Sequence, residues 1–124
     1  MRRELVLPLE REAAWPLIAE RDELESWFAD AVDLDVEPGA EGTVTVEGEE
    51  REAVVEEVVA QRRVVLRWWD RAGEASVVEL TLDDEPDGGT RLTVLELPVR
   101  TLAAVGAELA RLPTAPGPRM LALA

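Results

Sequence analysis

Hydrophobic and polar residues alternate with a period of two through most of the middle of this chain. Val32, Leu34 and Val36 stand against Asp33 and Asp35, and Val44 and Val46 against Thr43, Thr45 and Glu47. That alternation predicts half-buried strands over 31–36 and 42–47. Residues 50–60 carry the doubled pairs Val54-Val55 and Val58-Val59. Doubling predicts a bulge or burial on both faces. Strands over 64–69, 75–82 and 90–97 complete the run. Turns fall at Pro38-Gly39, Gly48-Glu49, Arg71-Ala72-Gly73 and 83–89. Glu4 to Pro8 reads as a first strand, ended by a proline that cannot donate to a ladder.

The period changes after the first strand. Ala13, Ala14, Leu17 and Ile18 recur at helical spacing over 9–20. Pro16 predicts that this helix is short, or begins late with proline in its first turn. Asp22 reads as the N-cap of a second short helix, with Glu25 closing a capping box. Beyond Pro98, the residues Leu102, Val105, Leu109 and Leu112 return to helical spacing, with Gly106 among them. Pro113 stops that helix, and residues 113–124 form a Pro-rich turn and a short apolar tail. The order is β-α-α-(six β)-α. Strands joined by short turns make an antiparallel meander. One long sheet with few helices is an α+β domain with the helices on one face. A chain of 124 residues fits one such domain, over 1–124.

Composition removes several kinds of chemistry. Cysteine and histidine are absent. Disulfides, thiolate metal sites and imidazole acid–base catalysis go with them. Ser26 and Ser76 therefore have no histidine to activate them, which excludes a Ser-His-Asp triad. No Gly-rich loop follows a strand in the manner of a nucleotide site. The turn Asp83-Asp84-Glu85-Pro86-Asp87-Gly88 mimics the start of a calcium loop, but its twelfth position is Val94 where the loop needs glutamate. No catalytic residue, metal or cofactor is expected. Every basic residue is an arginine, a bias that points to a GC-rich genome. The formal net charge is −14. Such a surface keeps a small domain soluble and opposes contact with phosphate backbones or anionic membranes, so neither nucleic acid nor membrane is expected as a partner. No signal peptide or membrane span is legible, and a cytoplasmic protein is expected, as a monomer or homodimer.

Aromatic residues are few: four tryptophans and one phenylalanine. Trp68 and Trp69 are adjacent on a strand and so point to opposite faces. Trp27-Phe28 ends the second short helix. These side chains either line an apolar pocket for a flat ligand or simply fill a core, since pocket walls and cores share a composition. Glu96 follows Leu92 and Val94 at period two and shares their face. If that face is inward, Glu96 is a buried carboxylate, a candidate proton donor or ligand anchor, with Arg67 or Arg91 as its partner.

The sequence resembles the SRPBCC superfamily, the helix-grip or START/Bet v-like fold, and within it bacterial members of the AHSA type, named for the activator of the heat-shock-protein ATPase. The likeness rests on Arg3-Glu4-Leu5-Val6-Leu7-Pro8, Trp15, Leu24, Trp27-Phe28, Pro38-Gly39-Ala40, the segment from Val64 to Trp69, and the segment from Gly88 to Val94. It spans residues 2–112. It implies a curved seven-stranded antiparallel sheet, two short helices after strand 1, and a C-terminal helix over the sheet enclosing an apolar cavity. Relatives bind lipids, sterols, polyketides or plant hormones, and a few cyclise polyketides. The implied ligand-binding residues are Trp27, Phe28, Trp69, Glu96, Leu102 and Val105, with Gly106 leaving room. The first functional reading is a non-enzymatic protein that binds or sequesters a small apolar or aromatic ligand. A second is a co-chaperone-like interaction module, steered by its charge to a basic patch on a protein partner. A third is a polyketide cyclase or hydratase that uses a buried carboxylate.

Overall fold

The computed structural model describes residues 1–100. Seven strands form one antiparallel sheet: β1 (Arg2–Leu7), β2 (Ala31–Asp33), β3 (Glu41–Val46), β4 (Glu49–Val59), β5 (Arg63–Trp69), β6 (Ala75–Asp84) and β7 (Thr90–Pro98). Three short helices, α1 (Arg11–Ala14), α2 (Pro16–Ala19) and α3 (Arg21–Trp27), lie between β1 and β2. The strand order across the sheet is β1-β7-β6-β5-β4-β3-β2. β2 to β7 therefore make the expected meander, and β1 leaves its sequence neighbour to pair with β7 at the far edge. The result is a curled half-barrel with the helices at one end of its inner face. The expected C-terminal helix, with Leu102, Val105 and Gly106, lies outside the described residues.

Period-two alternation builds the core. On β5, Val64, Leu66 and Trp68 are buried while their neighbours are half-buried. On β6 the buried set is Val78, Leu80 and Leu82, and on β7 it includes Leu92 and Val94. Ala14, Ile18 and Leu24 bring one apolar contact from each helix into the same cluster. Burying a side chain of this size contributes about 1.5–3 kcal/mol, so the inner face dominates the driving force for the fold.

Four local details differ from the sequence reading, each for a physical reason. Pro16 does more than shorten a helix: it divides the segment, ending α1 before Trp15 and serving as the first residue of α2, where its missing N–H costs nothing. Asp22 is not an N-cap. Helix α3 starts at Arg21 with Glu20 before it and no side-chain cap. Glu25 instead turns to the sheet, where its Oε2 accepts the Val32 N–H at 2.8 Å. Strand β2 stops at Asp33 because the Glu37 N–H bonds the Asp35 carbonyl, closing a local turn that takes this backbone out of the ladder. The β3–β4 hairpin turns at Glu47-Gly48, one residue earlier than expected, with Val46 paired to Glu49. Both turn residues have positive φ, 52° and 78°, which suits the twist of a two-residue hairpin.

The doubled valines do mark a bulge. On β4, Val55 pairs Leu66 and Glu57 pairs Val65, which leaves Glu56 unpaired. A bulge of this kind bends and twists its strand locally.

Candidate functional site

A concavity of about 450 Å³ lies on the inner face between α3, the β3–β4 hairpin, β1 and β7. Trp27, Phe28, Trp68, Arg51, Arg3 and Glu96 line it. Each arrives by a traceable local rule. Trp27 is the last residue of α3 and is fixed from behind, because its Nε1–H donates to the Leu17 carbonyl at 2.9 Å. Phe28 follows as the helix C-cap and stands 5.5 Å from the Trp27 ring, tilted by 54°. It also stacks on Trp68, with centroids 5.9 Å apart and planes 20° from parallel. Rings at these separations attract beyond simple burial.

Trp68, not Trp69, is the inward member of the pair. It is 4% exposed and shares a face with Val64 and Leu66. Trp69 lies on the opposite face, beside Thr43, Glu52 and Arg71. The sequence carried a signal for this. Trp69 alternates with Arg67 and Val65, and an arginine on that face marks it as the solvated one.

Glu96 does face inward, with Leu92 and Val94. Its Oε2 accepts the Trp68 Nε1–H at 3.0 Å. Neither expected arginine is its partner. Arg67 Nε sits 3.0 Å from Glu56, too poorly aligned for a hydrogen bond, and Arg91 Nε is 2.7 Å from Glu85. The partner is Arg51, whose Nη1 lies 3.6 Å from Glu96 Oε2. Arg51 also stands over Trp68, its guanidinium carbon 4.8 Å from the ring centroid. A guanidinium over indole is an attractive cation–π arrangement. Arg51 and Arg3 were missed by pattern reading. Arg51 follows from Ala53 and Val55 at period two, and Arg3 from Leu5 and Leu7. Charged residues in such series are easily assigned to solvent.

Of the remaining acids of the lining, Glu25 and Asp30 have structural partners, while Glu47 is exposed on the β3–β4 turn with none among the described residues. Glu25 holds the Val32 N–H, and Asp30 Oδ2 accepts the Gly48 N–H at 3.0 Å. Away from the site, Glu4 is held below the ordinary carboxylate value by the hydrogen bond from Arg2, at 2.7 Å. No group of metal-ligating side chains occurs among the described residues. The Asp83–Gly88 segment is an ordinary β6–β7 connection, with Asp83 and Asp84 still in the ladder. No helix among the described residues is long and apolar enough to cross a membrane.

The combination of this half-barrel with Trp27-Phe28 at its helical end agrees with a family match over residues 8–114 to the activator of Hsp90 ATPase homolog 1-like proteins. The chain belongs to that family. Solved AHSA1-like neighbours share the architecture. DynU16, from the dynemicin biosynthetic locus, superposes with a TM-score of 0.67 at 22% identity, covering 89% of this chain and 42% of its own. CalU16 from Micromonospora echinospora gives 0.61 at 21% identity, covering 88% of this chain and 66% of its own. Protein MLL2253 from Mesorhizobium loti gives 0.64 at 21% identity, covering 89% and 86%. The chain thus spans under half of DynU16 and about two-thirds of CalU16. Likeness at these identities shows a shared AHSA1-like fold. No curated protein matches the chain.

Proposed function

We propose that this AHSA1-like domain binds a small planar, largely apolar ligand in the concavity on the inner face of the sheet, without chemical turnover. One observation carries the reading. Three of the five aromatic residues in the whole chain, Trp27, Phe28 and Trp68, meet at a single concave surface. Gathered rings present stacking faces, and Trp27 and Phe28 remain only half-buried among the described residues. Charged groups such as Arg3, Arg51 and Glu96 share the wall with the rings, and placed polar groups of this kind orient a ligand in a small-molecule site. Binding rather than catalysis fits the polar groups present. The Glu96 carboxylate already accepts a hydrogen bond from Trp68 and faces Arg51, and the chain has no histidine or cysteine to act with it.

The test is intrinsic tryptophan fluorescence and melting temperature against fatty acids, sterols and aromatic polyketides. Aromatic members are expected to quench saturably and to raise the melting temperature in step with occupancy. No response from any class would overturn the reading and bring the protein-interaction reading forward. Turnover of a bound polyketide that is lost in Glu96→Gln would replace it with the cyclase reading.

A further inference from the structure

We propose that the ligand of this concavity is a monoanionic aromatic acid, a flat ring system bearing one carboxylate or an equivalent anionic oxygen, with Arg51 as its receptor and Arg3 at the mouth. This rests on the aromatic-ligand reading above and adds the charge of the ligand.

Arg51 projects from the end of β4 on the inner face, opposite Val44 of β3 and in series with Ala53 and Val55. Its side chain is 21% exposed, and its Nε is buried without a hydrogen-bond partner. The acids nearest to it, Glu96 and Glu49, are 3.6 Å and 3.7 Å away, longer than hydrogen bonds. A guanidinium offers five N–H donors and does not deprotonate. Among the described residues Arg51 makes no hydrogen bond with any of them, although it is mostly out of water. The Nη groups stay accessible from the concavity, but a buried Nε left unpaired is costly, and a native protein that does so has a reason at that place. Arg67 also has an unpaired Nε, but it stands on the opposite face against Glu56 at 3.0 Å. Arg51 instead stands in a cavity wall.

The neighbouring charges fix the sign of the ligand. Glu25 and Asp30 are occupied by backbone N–H groups, and Glu96 by the Trp68 indole. Arg3 lines the same concavity, on β1 opposite Val94, and makes no ion pair or hydrogen bond among the described residues. Arg51 is held only by these long ion pairs, and the one lining acid without a partner among the described residues, Glu47, is exposed on the β3–β4 turn, so the concavity offers mainly cationic groups to a ligand. A planar fork matches a carboxylate in two-point geometry. Phe28 and Trp27 provide the stacking faces for the ring, which an inorganic anion would not use. The net charge of −14 repels multiply charged anions from the whole surface, so a single negative charge is favoured.

Isothermal titration of the full chain with naphthoate and with its methyl ester separates the two claims. Naphthoate is expected to bind roughly tenfold or more tightly than the ester. Arg51→Gln is expected to bring naphthoate to the ester's affinity while the ester is unaffected. Arg51→Lys keeps the charge without the planar fork and should retain part of the preference. The ratio of acid to ester is read within each variant that melts cooperatively, so a general loss of stability does not imitate the result. Equal affinity for acid and ester in the parent protein overturns the anionic assignment and leaves the aromatic reading standing. Binding of neither overturns both. A full preference that survives in Arg51→Gln and Arg51→Lys removes Arg51 as the receptor.

Discussion

Trp68 joins three interactions in one side chain: a stacked contact with Phe28, a cation over its ring, and a hydrogen bond to Glu96. Its neighbour Trp69 has none of these among the described residues, and the difference turns on a single alternation. At this scale the sequence was partly readable. The face shared by Leu92, Val94 and Glu96 was legible because apolar neighbours mark it. Arg51 was not, because a charged side chain in a strand is normally solvated, and only the cavity beside it gives it another place to go. Trp27 was foreseen as a wall residue, but its indole N–H also fastens α3 to α2 through the Leu17 carbonyl. Trp27→Phe keeps a ring and removes that donor. It should lower stability by about 1–3 kcal/mol, since the carbonyl is left without its partner. A urea denaturation midpoint checks this, and an unchanged midpoint would show that the bond contributes nothing net.

Elements were the most legible level. Every strand of the sheet was predicted within a few residues, because one buried face imposes a period-two pattern that turns interrupt cleanly. The misplaced details come from local turn geometry and, for Glu25, from a contact with another element. The Glu25 side chain reaches from α3 to hold β2, and the hairpin register followed the twist of Glu47-Gly48 instead of the position of glycine alone. The joint between β2 and β3 gives another case. A Cβ on Gly42 would run into the Asp33 carbonyl of the adjacent strand, and no flexible side chain is there to yield. Gly42→Ala is therefore expected to destabilise the protein by about 1–3 kcal/mol, as other overpacked substitutions do. A lower thermal midpoint with unchanged strand content by circular dichroism would match. A neutral outcome would mean that β2 shifts away at no cost.

For the whole molecule, charge matters as much as packing. Twenty-seven acids face thirteen arginines. Most of the ion pairs are exposed, such as Arg63 with Glu57 and Arg2 with Glu4, and pairs of that kind contribute at most about 1 kcal/mol each. Self-repulsion among the excess acids should dominate instead. Raising the ionic strength from about 0.01 M to about 1 M shortens the screening length from about 30 Å to about 3 Å. The melting temperature is expected to rise across that range in differential scanning calorimetry. A fall would mean that the local pairs outweigh the net charge. Global charge was fully legible in the sequence. Its arrangement was not, because Arg3 lines the same concavity as Arg51 only with β1 lying beside β7.

That placement of β1 also sets an order of assembly. A ribosome releases Arg2–Leu7 before every other described strand and Thr90–Pro98 after them. The meander from β2 to β7 can grow by short hairpin steps, each closing a small loop at little entropic cost. The first strand cannot join it until the last has emerged. Until β7 emerges, Leu5, Val6 and Leu7 are an unpaired apolar segment, with Arg2, Arg3 and Glu4 on one side and Glu10 and Arg11 on the other guarding it against pairing with another nascent chain. The edge that completes the cavity wall is thus the part of the sheet exposed longest before the domain closes.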